Sequence, residues 1–153
     1  MLGLILLEFL SDETMSLENP NIRASIAISL GAIAGALCRY YAGQWLTQSM
    51  DTSFHIGTLI VNLSGCFLMG LITTLVAKKF SLRPDLVLLL TTGFLGAYTT
   101  FSSYELDTAN LLEMKNLQGD LIYWIGSPLI GFLFFYFGVI LVRLTHPTNQ
   151  LND

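Results

Sequence analysis

Charge is what this sequence has least of. Only 12% of its 153 residues are Asp, Glu, Lys or Arg, against 53% apolar or aromatic, a balance that excludes an ordinary water-facing surface. The two cysteines, Cys38 and Cys66, lack CxxC spacing and sit inside apolar stretches, so they read as small core residues rather than a metal, redox or disulfide pair. The two histidines, His55 and His146, fall at the edges of such stretches with no partner pattern. Catalysis needs a nucleophile, base or metal held within mutual reach, and no such constellation can be assembled here. No enzyme, no catalytic residue, no organic cofactor and no nucleic-acid partner is therefore expected.

What is abundant is apolar sequence in long runs. A bilayer core needs about 20 predominantly apolar residues per helical span, and four stretches qualify: 24–47, 56–77, 86–112 and 121–144. They predict an all-α integral membrane protein of four transmembrane helices, multi-pass in a cell (inner or plasma) membrane, with lipid as its constant neighbour. The expected organisation is an amino-terminal tail over 1–22, a membrane domain over 23–145 and a carboxy-terminal tail over 146–153. The opening run MLGLILLEFL has no basic flank before it and no small-residue cleavage site after it, so it is not read as a secretory signal. It is too short to span; an interfacial segment and an over-long start ahead of Met15 are the two readings. The formal charge of −4 lies mainly in tails and connections, among them Glu8, Asp12, Glu13, Glu18, Asp51 and Asp120, and says little about the interior.

The first span carries Gly31 and Gly35 as a GxxxG pair, a spacing that lets helix backbones approach closely in lipid. Arg39 is the only cation set well inside a span rather than in its last turn, where Arg143 stands, and must snorkel, pair or face water. In the second span Thr58, Asn62, Cys66 and Gly70 form one stripe at four-residue spacing. Asn62 there is either helix-to-helix glue or a functional amide. The fourth span repeats the spacing with Tyr123, Ser127 and Gly131, and Pro128 removes one helix hydrogen bond beside them.

The third span is abnormal. As one helix it would be about 40 Å long, against a hydrocarbon core of about 30 Å, so it must tilt or break. Its centre reads TTGFLGAYTTFSSYE, with two glycines and six Thr or Ser hydroxyls where lipid favours Leu and Ile. Irregular backbone at that depth is tolerated only inside protein or against a watery cavity, and discontinuous helices expose the carbonyls and amides that bind ions. A third helix broken at mid-membrane is expected. Neutral donors, namely Asn62, Thr99, Thr100, Ser102, Ser103, Tyr123 and Ser127, can replace an anion's hydration without trapping it beside a full positive charge. The ring edges of Phe101 and Tyr104, three residues apart on one face, carry the positive part of the aromatic quadrupole. Broken-helix carbonyls favour a small cation instead. The pattern describes an ion path.

At this point the chain resembles the Fluc (CrcB) fluoride channels, on GAIAGALCRYY in the first span, GTLIVNLSGCFLMG in the second, GFLGAYTTFSSYE in the third and the Tyr123 to Gly131 stripe. The resemblance implies a fluoride-selective channel for passive efflux that protects against fluoride toxicity, built as an antiparallel, inverted-topology dimer with two pores. It implies a structural Na⁺ at the dimer interface held by the Gly96 and Thr99 carbonyls of both subunits, and a fluoride pathway along Asn62, Phe101, Tyr104, Ser102, Ser103, Tyr123 and Ser127. Arg39 maps to a pore vestibule.

The chain departs from the family pattern in four places. Tyr104 stands where a second Phe is usual, Glu105-Leu106-Asp107 replaces Ser-x-Glu, and Gly131 and Phe135 replace frequent Ser and Thr. These last two shorten the polar track.

Arg23, Lys78, Lys79, Arg83 and Arg143 fall on one side of the membrane and Arg39 and Lys115 toward the other, which by the positive-inside rule places both chain ends in the cytoplasm. Such a bias suits a fixed orientation and an oppositely oriented homologue, so homodimer and heterodimer both stand. A proton-coupled multidrug exporter would want a carboxylate in the first span, and none is there. A structural assembly protein would account for Asn62 but not for the hydroxyls and glycines between Thr91 and Ser103.

Overall fold

The computed structural model describes residues 19–50, 56–78, 82–113 and 117–146; most of the expected amino-terminal tail and the last residues of the carboxy-terminal one lie outside them. Every element among the described residues is helical: α1 (Pro20–Met50), α2 (Ile56–Ala77), α3 (Pro84–Leu88), a π-helical stretch (Leu89–Leu95), a single turn α4 (Gly96–Tyr98), α5 (Phe101–Glu113) and α6 (Leu117–Thr145). Four stretches are long and apolar enough to cross a membrane, Pro20–Ser49, Ile56–Ala77, Pro84–Glu113 and Leu121–Thr145, within a few residues of the spans read from the sequence. Helix is the only open structure that satisfies its own backbone in hydrocarbon.

Small residues decide which helices touch. α1 lies along the π-helical stretch, and α2 lies along α6. A Cβ on Gly31 would sit 2.8 Å from the Phe94 nitrogen, and one on Gly35 would overlap the Phe94 carbonyl. On the other seam Gly70 and Gly138 bring backbones together in the same way, Gly70 against the Phe135 carbonyl and Gly138 against that of Phe67. Val61 and Leu95 are the largest fully buried side chains among the described residues. The outward faces carry Leu30, Ile33, Trp45, Phe132 and Leu133, all exposed, the apolar exterior that lipid requires and water would penalise.

Local chemistry sets the helix starts. Pro84 opens α3 after an extended Arg83, a position where the missing N–H costs nothing. Asp85 in that first turn meets the positive end of the helix dipole and pairs with Arg23 at the start of α1, with Arg83 at 3.7 Å. Lys78, just past α2, donates to the His146 carbonyl just past α6. The start of α1, the end of α2, the start of α3 and the end of α6 therefore share one end of the bundle.

Candidate ion path

The interruption between α4 and α5 is built from one side chain of α2. Thr99 leaves the helix with extended backbone (φ −80°, ψ 154°), and Asn62 reaches across to the next residue, donating from Nδ2 to the Thr100 carbonyl at 3.0 Å and accepting the Thr100 N–H on Oδ1 at 2.8 Å. Thr100 then caps α5, its Oγ1 accepting the Ser103 N–H at 3.1 Å, the normal bond of a Thr at a helix start. On the far side the Tyr98 hydroxyl lies 3.0 Å from Ser64 Oγ.

These bonds divert two N–H groups. In an unbroken helix the Thr100 N–H would serve the Gly96 carbonyl and the Ser103 N–H that of Thr99; the first goes to Asn62 and the second to Thr100 Oγ1. The carbonyls of Gly96 and Thr99 thus lose the donors that a continuous helix would give them, as a carbonyl-lined cation site requires. Gly96 is exposed, and a Cβ there would meet only the Thr91 carbonyl, at 3.7 Å, which leaves its face open to a neighbour. The residues fit a small hard cation bound through oxygen. Among the described residues no three His, Cys, Asp or Glu come together as an alternative metal centre.

A groove of about 400 Å³ runs between α2, α6 and the interruption. It collects Asn62, Phe101, Tyr104, Tyr123 and Ser127 with Thr99 and Thr100, and continues past Cys66, Gly131 and Phe135. Three rings follow one another along it: Phe101 to Tyr104 at 5.6 Å between centroids, then Tyr104 to Tyr123 at 5.4 Å. Phe101 is 73% exposed whereas Tyr123 is 2% exposed, so the row runs from an open ring to a buried one. Tyr123 donates to Asp107 Oδ2 at 3.2 Å, and Tyr104 donates to the Trp124 carbonyl. Both phenols thus spend their protons on acceptors of their own, which fixes the two rings in rotation.

Ser103 and Arg39 go elsewhere. Two residues on from Phe101, Ser103 stands about 200° around α5, and it lines a second cavity of about 240 Å³ with Arg39, Tyr40, Gly43, Thr58 and Thr100. Arg39 donates from Nη1 to Ser103 Oγ at 3.4 Å, while its buried Nε has no partner among the described residues. Thr100 borders both cavities. Ser102 is exposed and borders neither, and its hydroxyl lies 3.1 Å from Thr100 Oγ1. Tyr98, Ser64 and Tyr40 were not singled out from the sequence; their role follows from contacts between helices, for which spacing carries no signal.

The family model described as CrcB-like protein, Camphor Resistance (CrcB), matches residues 26–139. The chain belongs to the CrcB-like family. The match reaches into all four spans and takes in every residue of both cavities. Among similar proteins, one from Trichormus variabilis named fluoride-specific ion channel FluC is 49% identical over 129 residues, covering 84% of this chain and 94% of that protein. A protein of the same name from Synechococcus sp. is 45% identical, covering 82% of this chain and 97% of its own length. A third from Synechocystis sp. is 42% identical, at 80% and 95%. With its four spans, this CrcB-like chain is a multi-pass protein of the cell membrane.

Proposed function

We propose that the chain is a subunit of a fluoride-selective channel through which cytoplasmic fluoride leaves passively, and not an enzyme. The observation that carries the reading is the groove that gathers Asn62, Ser127 and the Phe101–Tyr104–Tyr123 ring row at a helix interruption, in a chain closely similar to fluoride-specific ion channels. Asn62 spends one N–H on the Thr100 carbonyl, and its amide nitrogen carries a second, which faces the ion. The Phe101 ring meets the anion edge-on. Ser127 supplies a hydroxyl beyond it, and Gly131 and Phe135 end the polar track there. Hydrogen fluoride enters from acidic surroundings as a neutral molecule and dissociates inside. A membrane potential negative inside then pushes the anion outward by roughly 2.3 kcal/mol per 100 mV, so no other energy source is needed.

The interruption at 99–100 lies at mid-membrane in this reading, and two subunits of inverted orientation meet across it. Na⁺, when bound by the released carbonyls of Gly96 and Thr99 from both subunits, supplies a fixed charge that ties the two interruptions together. Arg39, with Ser103, Tyr40 and Thr58, forms a vestibule that attracts anions before they reach the rings. Arg23, Arg83 and Lys78 gather at the bundle end that also receives Arg143, which supports a cytoplasmic placement of both chain ends. The partner is a second copy or an oppositely oriented homologue. Purified chain in liposomes, followed with a fluoride electrode and with chloride for comparison, tests the function: fluoride-selective release is expected. No release, either alone or with such a homologue, would refute it.

A further inference from the structure

Pro128 lies inside α6. Without an N–H it cannot donate to the carbonyl four residues back, that of Trp124, and a carbonyl deprived of its helix donor at membrane depth must find another. The hydroxyl of Tyr104, reaching from α5, donates to that same carbonyl. The donor that proline removes from one helix is thus replaced by a side chain of another. Tyr104 is only 6% exposed, with its ring between those of Phe101 and Tyr123, and so the bond fixes the middle ring of the row at both its edge and its tip.

We propose that Tyr104 is a positioning residue whose hydroxyl stands in for the helix hydrogen bond lost at Pro128, holding the ring row in place and covering the Trp124 carbonyl beside the groove. An uncovered carbonyl oxygen there would turn negative partial charge toward an anion. The covered one presents the phenol ring instead. The tyrosine and the proline consequently form a unit: each makes the other tolerable, and neither is neutral alone.

A four-protein cycle tests this: the parent, Tyr104→Phe, Pro128→Ala and the double variant, each measured for thermal unfolding in detergent and for fluoride and chloride flux in liposomes. Restoring an N–H at position 128 gives the Trp124 carbonyl its helix donor back, so the hydroxyl should matter in the parent and hardly at all in the Pro128→Ala background. Tyr104→Phe should lower the unfolding midpoint in the first and not in the second. It should cut fluoride flux by about tenfold in the parent, the scale of one lost hydrogen bond, and by less than about twofold in the Pro128→Ala background. Equal midpoint losses in both backgrounds, or a fluoride flux that Tyr104→Phe leaves unchanged, would overturn the proposal. The flux arm rests on the fluoride reading given above. A folded parent that carries no fluoride would sink that reading by itself, while the unfolding cycle would still decide whether the hydroxyl replaces the proline's missing donor.

Discussion

Asn62 and Thr100 hold each other by a reciprocal pair of hydrogen bonds, at 3.0 and 2.8 Å. The carboxamide behaves as a peptide group from a neighbouring strand would, taking both backbone valences of a residue that neither helix can serve. One side chain of α2 thereby ends one helix, permits the next to start and diverts the donor of Gly96. Removing it should leave a half-buried carbonyl and amide unpaired, each costing about 1–2 kcal/mol. Asn62→Ala is therefore expected to lower stability by about 2–4 kcal/mol and to abolish flux, as read by unfolding in detergent and efflux from liposomes. Unchanged stability would mean that the interruption is held by something other than this pair.

The α2–α6 seam makes a prediction about the fold alone. A side chain at Gly70 would overlap the Phe135 carbonyl, whereas a Cβ at Gly126 would meet nothing within 4 Å. Gly70→Val should cost at least about 1–3 kcal/mol through overpacking, and Gly126→Ala should be neutral or stabilising by up to about 1 kcal/mol. Thermal midpoints in one detergent would check the pair, and the reverse order would contradict the packing.

Phe101 is the most exposed ring of the groove, so its replacement removes little packing. Phe101→Ile should reduce fluoride flux to the level of empty vesicles while the protein elutes and unfolds as the parent does. Parent-like flux would remove Phe101 from the path.

Na⁺ binding to the Gly96 and Thr99 carbonyls should appear as stability linked to its concentration. Exchange of Na⁺ for a large organic cation is expected to lower dimer stability by about 2.7 kcal/mol where Na⁺ had stood a hundredfold above its dissociation constant. A midpoint independent of Na⁺ would rule out resident sodium.

The four spans were legible because apolar run length is a bulk property that needs no contacts, and their limits came within a few residues. The candidate site was legible in its composition. Glycines with six hydroxyls between Thr91 and Ser103 mark a polar interior without saying which group faces which cavity. Asn62 was readable as glue or as a functional amide; the structure gives it a backbone partner at Thr100 and a place in the groove wall. What stayed hidden depends on helices crossing. The partner of the Tyr104 hydroxyl is a backbone carbonyl on α6, and no spacing points to it. Ser103 parts from Phe101 because helical phase puts them on different faces of α5, and Arg39 finds Ser103 only through the packing of α1 against the interruption. The π-helical stretch Leu89–Leu95 has no sequence signature; it lies where Gly93 comes close to Gly31 across two helices.

The measurement that bears most directly on the central claim is fluoride efflux from liposomes containing this chain alone, recorded with an electrode beside a parallel chloride record. Fast release of fluoride with little chloride, lost in Phe101→Ile, is the predicted result. Fluoride retention by folded protein, persisting when an oppositely oriented homologue is reconstituted with it, would contradict the account.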